Sequence, residues 1–536
     1  MDYVETLDTT LRDGAQTRGV TFTLHEKLRI AEKLDELGID IIEGGWPGSN
    51  PKDAEFFKAA KDISFSHSRI AAFGSTRRKD TRPSNDPSLD SIIKADVGTA
   101  VIFGKSWLLH VREVLRCTDE ENLDMITDTI EYLRSHGIEV IFDAEHFYDG
   151  FKDSPSYALS VVRSAYDAGA RVVVLCDTNG GTLPSELSVI TRRVREEIGC
   201  PLGIHTHNDS GVAVANTLAA VEEGARHVQG TINGLGERCG NADLCQVIPN
   251  LALKMGFKVL GGDGVERLRR LTQTARLVAE LSNRELSPYH PFVGRHAFAH
   301  KGGVHIDAML KHPRTYEHID PALVGNERII SISELSGRSA LQYQAQKLGL
   351  SLDKNELTRA LEEIKKLELL GYNLEPADAT VSLILLNSIG VRLDFFKIRT
   401  WWVEVFDIGR QMAKAIVSLD VNGEAITEIG EGVGPVHALD EAIRKALLRK
   451  FPELKDTHLV NYKVAVIDSG DGTAAAVRVF VEFMSGAKRW ATTAVSRNIL
   501  EASLKAITDG YTYNLAVIRK LGIASAKIDG GQHNNG

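Results

Sequence analysis

Cysteine is scarce in this chain. There are five in 536 residues, an odd number, and none forms a CxxC pair. That excludes a disulfide framework and fits a reducing cytoplasm. Cys239 and Cys245 read as packing or bystander thiols rather than zinc ligands. No apolar run is long enough to span a bilayer. The opening stretch, MDYVETLDTTLRDG, lacks a basic region followed by an apolar core, so no secretory signal is expected and the location reads as cytoplasmic. Positive charge is not in excess either: the net charge is −9, which argues against a nucleic-acid or membrane surface as the main partner. A Gly-rich phosphate turn after the first strand is also missing, which disfavours an open dinucleotide-binding sheet. What remains is ordinary globular composition, 43% apolar and 25% charged, in a chain too long for one core, so two or three domains are expected.

The first half alternates short β-branched runs with amphipathic helical stretches. The runs are VETLDTTL, IDIIEGGWP, RIAAFGST, TAVIFGK, EVIFDAEHF, VVVLCDTNGG, PLGIHTHND and HVQGTINGLG. Between them lie helical segments such as 24–38, 120–137, 157–170 and 187–199, several ending in glycine, the expected left-handed stop. Eight such repeats over roughly 260 residues predict a (β/α)8 TIM barrel. A barrel builds its site from the loops after its strands, and the polar residues obey that rule. Arg12, Asp13 and Gln16 close strand one, with Glu43 late in strand two. Asp143, Glu145 and His146 end strand five, and Asp177, Thr178 and Asn179 end strand six. His205, His207, Asn208 and Asp209 end strand seven, and Asn233, Glu237, Arg238 and Asn241 follow strand eight.

In a strand, residues i and i+2 point the same way, so His205 and His207 converge. A single histidine there would be a core residue satisfied by a hydrogen bond. Two beside a rim carboxylate suit a divalent cation, with Asp13 supplying an oxygen and Asn241 an amide oxygen from neighbouring strands. The mixed N/O shell leaves Zn, Mn and Mg all open. Arg12, next to Asp13, is permanently cationic and suited to hydrogen-bond an enolate or alkoxide as charge develops.

The motifs LDTTLRDGAQTRG (7–19), GIHTHNDSGVAVAN (203–216) and INGLGERCGNADL (232–244) resemble the DRE-TIM metallolyase superfamily, in its isopropylmalate/homocitrate/citramalate synthase branch. IIEGGWPGSNPKDAEFF and FDAEHFYDGFK look most like the citramalate synthases of that branch. Trp46, Gly48 and Asn50 depart from the isopropylmalate pattern. The resemblance implies a condensation of acetyl-CoA with pyruvate and water, giving (R)-citramalate and CoA on the way to isoleucine. By the family pattern Arg12 sits over the keto oxygen, Thr178 hydrogen-bonds the carboxylate, and Glu145 faces the reacting centre. Two rivals stay within the superfamily: a 2-isopropylmalate synthase, and a carbon–carbon lyase. Lyases often carry a catalytic cysteine in a Gly-rich lid, where this chain has Gly236-Glu237-Arg238-Cys239-Gly240-Asn241. A third rival, an amino-acid sensor on a decayed barrel, conflicts with the intact rim.

The stretch HKGGVHIDAMLKHPRTYEHIDPALVG (300–325) resembles the synthase segment that supplies a histidine and a tyrosine to the partner subunit's barrel. Residue by residue these are His305 and Tyr316, and a homodimer is implied. Relatives often read Ser-Gly-Ile-His-Gln-Asp where this chain has Gly302-Gly303-Val304-His305-Ile306-Asp307. LDKNELTRALEEIKKLELLG is a charged amphipathic helix that packs rather than catalyses. From about residue 395 strand–turn–strand–helix recurs twice, with a hairpin signal at Val421-Asn422-Gly423. This α+β module resembles the regulatory domain of isopropylmalate synthases, which implies an amino-acid effector, isoleucine by pathway analogy. Gly-rich turns are expected at 430–434 and 469–472, and Trp401 and Trp402 are expected to anchor a core or interface. The expected division is a catalytic barrel over 1–270, a helical linker over 271–392 and a regulatory, dimerising module over 393–536.

Overall fold

The computed structural model describes residues 2–519, apart from 263, 333–336, 408–410, 468 and 487. The last stretch of the expected regulatory module, 520–536, lies outside the described residues. The chain divides into two compact units, Met1–Phe298 with Ile319–Arg328, and Ala299–His318 with Ile329–Gly536. No helix among the described residues is long and apolar enough to cross a membrane.

In the first unit eight parallel strands close into a barrel in sequence order: β1 (Glu5–Asp8), β2 (Ile41–Gly45), β3 (Arg69–Ser75), β4 (Thr99–Lys105), β5 (Glu139–Glu145), β6 (Val172–Asp177), β7 (Leu202–Thr206) and β8 (His227–Gly230). Pairing of β1 with β8, from Glu5↔His227 to Asp8↔Gly230, completes the ring. The strands read as near-continuous apolar runs because both faces are covered, one by the barrel interior and one by helices. The helices start and stop where the sequence says they should. Leu24–Leu37 begins at a capping box between Thr23 and Glu26 and ends at Gly38 with φ 93°. Pro184–Ile198 ends at Gly199 with φ 70°. Their apolar stripes, such as Ile30, Leu34 and Leu37, pack into the shell around the barrel.

The barrel interior is layered. Leu7, Ile41, Ala71, Val101, Ile141 and Val174 fill the middle with apolar side chains. Below them, at the strand N-termini, lies a charged lattice. Glu5 accepts from Arg171 Nη2 at 2.7 Å, Arg69 Nη2 at 3.0 Å and His227 Nδ1 at 2.7 Å, and Arg69 Nη1 reaches Glu139 at 2.9 Å. Burial opposes the charge on Glu5, but His227 and Arg171 outweigh it and bring its pKa down to about 2 from 4.5. A depressed carboxylate pKa contributes stability that is complete above the unfolded value and disappears as pH falls toward the folded one. Glu5→Gln is therefore expected to cost on the order of 2–3 kcal/mol at neutral pH. It should also flatten the acid limb between pH 4.5 and 2, as read by denaturant unfolding across that range.

In the second unit β9 (Ala299–His300) and β10 (Ile329–Ile330) form a short parallel pair. Helices follow, among them Lys354–Leu369, which is capped by Asp353 and Glu356 and buries Leu357, Ala360 and Ile364. The duplicated module consists of two three-stranded antiparallel sheets, β11 (Lys397–Asp407), β12 (Gln411–Val421) and β13 (Glu424–Gly432), then β14 (Thr457–Val466), β15 (Val477–Ser485) and β16 (Lys488–Ser496). Pro435–Leu448 packs on the first sheet and Ile499–Ile518 on the second. The β12–β13 hairpin turns at Asn422 and Gly423, both at positive φ as a type I′ turn requires.

One expectation is corrected here. Residues 430–432 are not a turn: β13 continues to Gly432, because Gly430 lets the helix press onto the strand. A Cβ at Gly430 would lie 2.1 Å from the Ala438 carbonyl oxygen. Trp401 and Trp402 face opposite ways on β11. Strand alternation turns Trp401 toward the core, while Trp402 stays 66% exposed.

Candidate active site

The chain leaves β1 in a tight turn. The Arg12 and Gly14 amides donate to the Thr9 carbonyl at 3.1 and 3.0 Å, and the Asp13 amide to Thr9 Oγ1 at 3.2 Å. This aims Asp13 at the barrel axis. Alternation along β7 and just past its end brings His205 and His207 to the same side. Asp13 Oδ2 lies 3.8 Å from the Nε2 of each, and the two Nε2 atoms are 3.2 Å apart. All three side chains are buried, with ligand atoms within 4.8 Å of one another, a grouping able to hold a metal ion. Burial, reinforced on His205 by the neighbouring imidazole, pushes both histidine pKa values down, so both are neutral. Burial opposes the charge on Asp13, but the Arg12 guanidinium beside it works the other way and holds the carboxylate ionised. One carboxylate with two neutral imidazoles is a divalent-cation donor set.

Asn241 adds a fourth donor, an amide oxygen. Its backbone bridges His207, its Nδ2 donates to the Leu235 carbonyl at 3.3 Å, and its buried Oδ1 has no hydrogen-bond partner. An unpaired buried carbonyl oxygen is costly unless something electropositive meets it, so the four residues fit a divalent cation. Gly236 makes the approach possible: it has φ 153°, and a Cβ there would lie 2.0 Å from Asn241 Nδ2. Thr17 pins the same loop, accepting from the Gly236 amide at 2.7 Å.

Arg12 is stretched across the site. Its Nε donates to Glu43 at 2.6 Å and its Nη1 to Asp13 at 3.2 Å, while the guanidinium lies 3.8 Å from the centre of the Phe73 ring. Burial works against its charge, but Glu43 and Asp13 outweigh burial and raise its pKa further. Phe73 and Phe103 stack at 5.3 Å, and Trp46 meets both edge-on at 5.6 and 5.7 Å. These residues wall a cavity of about 230 Å³ that also takes in Asp143, Glu145, Thr178, His205 and His207. Glu145 is ion-paired with Lys105. Thr178 Oγ1 accepts from the His146 amide at 2.9 Å, so its own proton is free to donate elsewhere. Burial and the nearby Glu43 raise Asp143 to a pKa of about 8, which keeps it protonated at neutral pH. Arg238 grips Asp209 with two bonds of 2.9 Å and the Thr178 carbonyl at 2.6 Å, tying together the loops after β6, β7 and β8.

Arg12, Asp13, Glu145, Thr178, His205, His207 and Asn241 thus lie together in the first unit. His305 and Tyr316 belong to the second, where their rings stack at 4.1 Å. Sequence reasoning assigned no role to Lys105, Phe73, Phe103 or Gln229. For Gln229 the deciding observation is structural: it pairs across the sheet with His205.

The HMGL-like family matches residues 3–278. An (R)-citramalate synthase of Sulfolobus acidocaldarius is 51% identical over 514 residues, 96% of this chain and 97% of that one. The chain belongs to the HMGL-like family, alongside the (R)-citramalate synthases. An Aquifex aeolicus member of that group is 49% identical over 522 residues, covering 96% of this chain and 98% of its own. A 2-isopropylmalate synthase of Methanocaldococcus jannaschii stands further off at 34% identity over 518 residues, 96% of this chain and 95% of that one. Beyond the barrel, the homocitrate synthase post-HMGL domain-like family matches residues 292–369, and the LeuA allosteric (dimerisation) domain matches 375–515.

Proposed function

We propose that the protein is a citramalate synthase, an acyltransferase that condenses acetyl-CoA with pyruvate and water to give (R)-citramalate and CoA, and that it serves isoleucine formation in the cytoplasm. The observation that carries this reading is one cavity of about 230 Å³ holding the Asp13, His205 and His207 group, Arg12 and a wall of three aromatic rings. Its size suits a short 2-oxoacid.

Asp13, His205, His207 and Asn241 are the residues we assign to the divalent cation, Zn, Mn or Mg, which when bound supplies Lewis-acid polarisation of a carbonyl. The chain's own groups do the rest. Arg12 is fixed by Glu43 and Phe73 before substrate arrives. It is placed to donate to the keto oxygen as negative charge builds there. The Thr178 hydroxyl donates to the substrate carboxylate. The aromatic wall shields the reacting carbons from water, which matters because the acetyl methyl that must lose a proton is a very weak acid in water. Glu145, with His305 and Tyr316 of a second subunit, carries the proton transfers: one proton leaves the methyl group and one reaches the new alkoxide. Hydrolysis of the resulting thioester then releases CoA.

The match over 375–515 supports a homodimer and an amino-acid effector, for which we propose isoleucine. The family matches also support a functional division into chemistry over 1–270, a linker that reaches the partner over 271–392, and regulation with dimerisation over 393–536. A CoA-release assay across a panel of 2-oxoacids, with and without isoleucine, tests the reading. Pyruvate is expected to exceed 2-ketoisovalerate in kcat/KM by at least ~10-fold, equivalent to about 1.4 kcal/mol of transition-state stabilisation. A reversed preference would reassign the chain to the 2-isopropylmalate synthases.

A further inference from the structure

Gln229 is fully buried on β8, directly opposite His205 on β7. Its Oε1 lies 3.0 Å from His205 Nδ1, and its Nε2 donates to Asp143 Oδ1 at 2.9 Å. A carboxamide has one accepting end and one donating end. In this structure the donating end meets Asp143 and the accepting end faces the imidazole. That arrangement places the ring proton on His205 Nδ1 and leaves Nε2 its lone pair. That Nε2 is the atom 3.2 Å from His207 Nε2 and 3.8 Å from Asp13 Oδ2. In the reverse tautomer an N–H would point into the donor cluster and no lone pair would face it. His207 has no such anchor, since its Nδ1 is buried without a hydrogen-bond partner. Of the two imidazoles, His205 is the one whose orientation the fold dictates.

We propose that Gln229 is a positioning residue for the metal centre: aligned by Asp143 on β5, its amide holds His205 as the Nδ1–H tautomer with Nε2 turned toward Asp13 and His207. The proposal rests on the metal reading of those side chains, and its test separates the two. Full-length wild type, Gln229→Leu and Gln229→Glu are stripped with chelator, checked for folding by circular dichroism, and titrated with zinc against a competing chromophoric chelator. Gln229→Leu is expected to bind zinc at least ~10-fold more weakly, the loss usual when a ligand's hydrogen-bond partner is removed. Gln229→Glu retains an acceptor for Nδ1–H and is expected to stay within about 3-fold of wild type.

A second readout does not depend on metal. In ¹⁵N-histidine spectra of the stripped wild type, the His205 resonance, identified by its loss in His205→Gln, should report protonation at Nδ1. Zinc affinity unchanged in a folded Gln229→Leu protein, or His205 protonated at Nε2 in the wild type, would overturn the proposal. Should the leucine variant not fold, the wild-type tautomer decides. A wild type that binds no divalent cation would instead defeat the metal reading itself.

Discussion

His207→Ala protein, purified and dialysed beside the wild type, is expected to retain less than about one-tenth of the wild-type divalent metal. CoA release should fall with the metal content. The expectation follows from how few donors the site has. Asp13, His205 and His207 are the only His, Cys, Asp or Glu group of this kind among the described residues, and Asn241 adds a weaker amide oxygen. Removing one imidazole leaves a carboxylate, a single nitrogen and the weaker amide oxygen, too few to hold the cation firmly against water. The fold should survive, because the substitution removes a buried neutral ring at the barrel rim and leaves the apolar middle layer intact. Elemental analysis of the dialysed protein, paired with thermal unfolding, checks both halves. A folded variant with full metal content and full turnover would remove the basis of the mechanism.

Arg12→Ala should behave in the opposite way, keeping metal and losing turnover by about 10² to 10³. Its lost guanidinium is the donor placed where charge builds on the substrate oxygen. The substitution carries a second cost, because Glu43 is fully buried and Arg12 is its cationic partner at 2.6 Å. Stranding a buried carboxylate costs on the order of 3–5 kcal/mol before protonation relieves part of it. Stability and chemistry are therefore entangled in the single variant. Arg12→Ala combined with Glu43→Gln separates them: stability should largely return, while kcat stays as low as in the single variant. Recovery of turnover in the double variant would mean that Arg12 acts only by neutralising Glu43. Arg12→Lys is no substitute control, since an ammonium cannot span Glu43, Asp13 and Phe73 together.

The barrel was legible because its signals are local and repeated. Each apolar run is followed by an amphipathic stretch with its own cap, and the count of eight needs no knowledge of which strand touches which. The donor cluster was legible for a similar reason: His205 and His207 alternate on one strand, and Asp13 closes a strand that the barrel topology brings near. The aromatic wall was hidden because Trp46, Phe73 and Phe103 come from three different strands or their loops, and each alone reads as core. Gln229 was hidden because a lone buried glutamine has no pattern until its cross-strand partner is known. The turn expected over 430–434 failed through a familiar ambiguity. Glycine marks reversals of the chain, but it also marks places where a helix lies against a strand, and at Gly430 the second meaning applies.

The layered interior has a kinetic consequence. Below the reacting groups the cylinder is filled, first by aliphatic side chains and then by the Glu5, Arg69, Glu139 and Arg171 lattice. The chamber is a cul-de-sac. Both substrates must therefore enter, and both products leave, through the one mouth at the C-terminal ends of the strands.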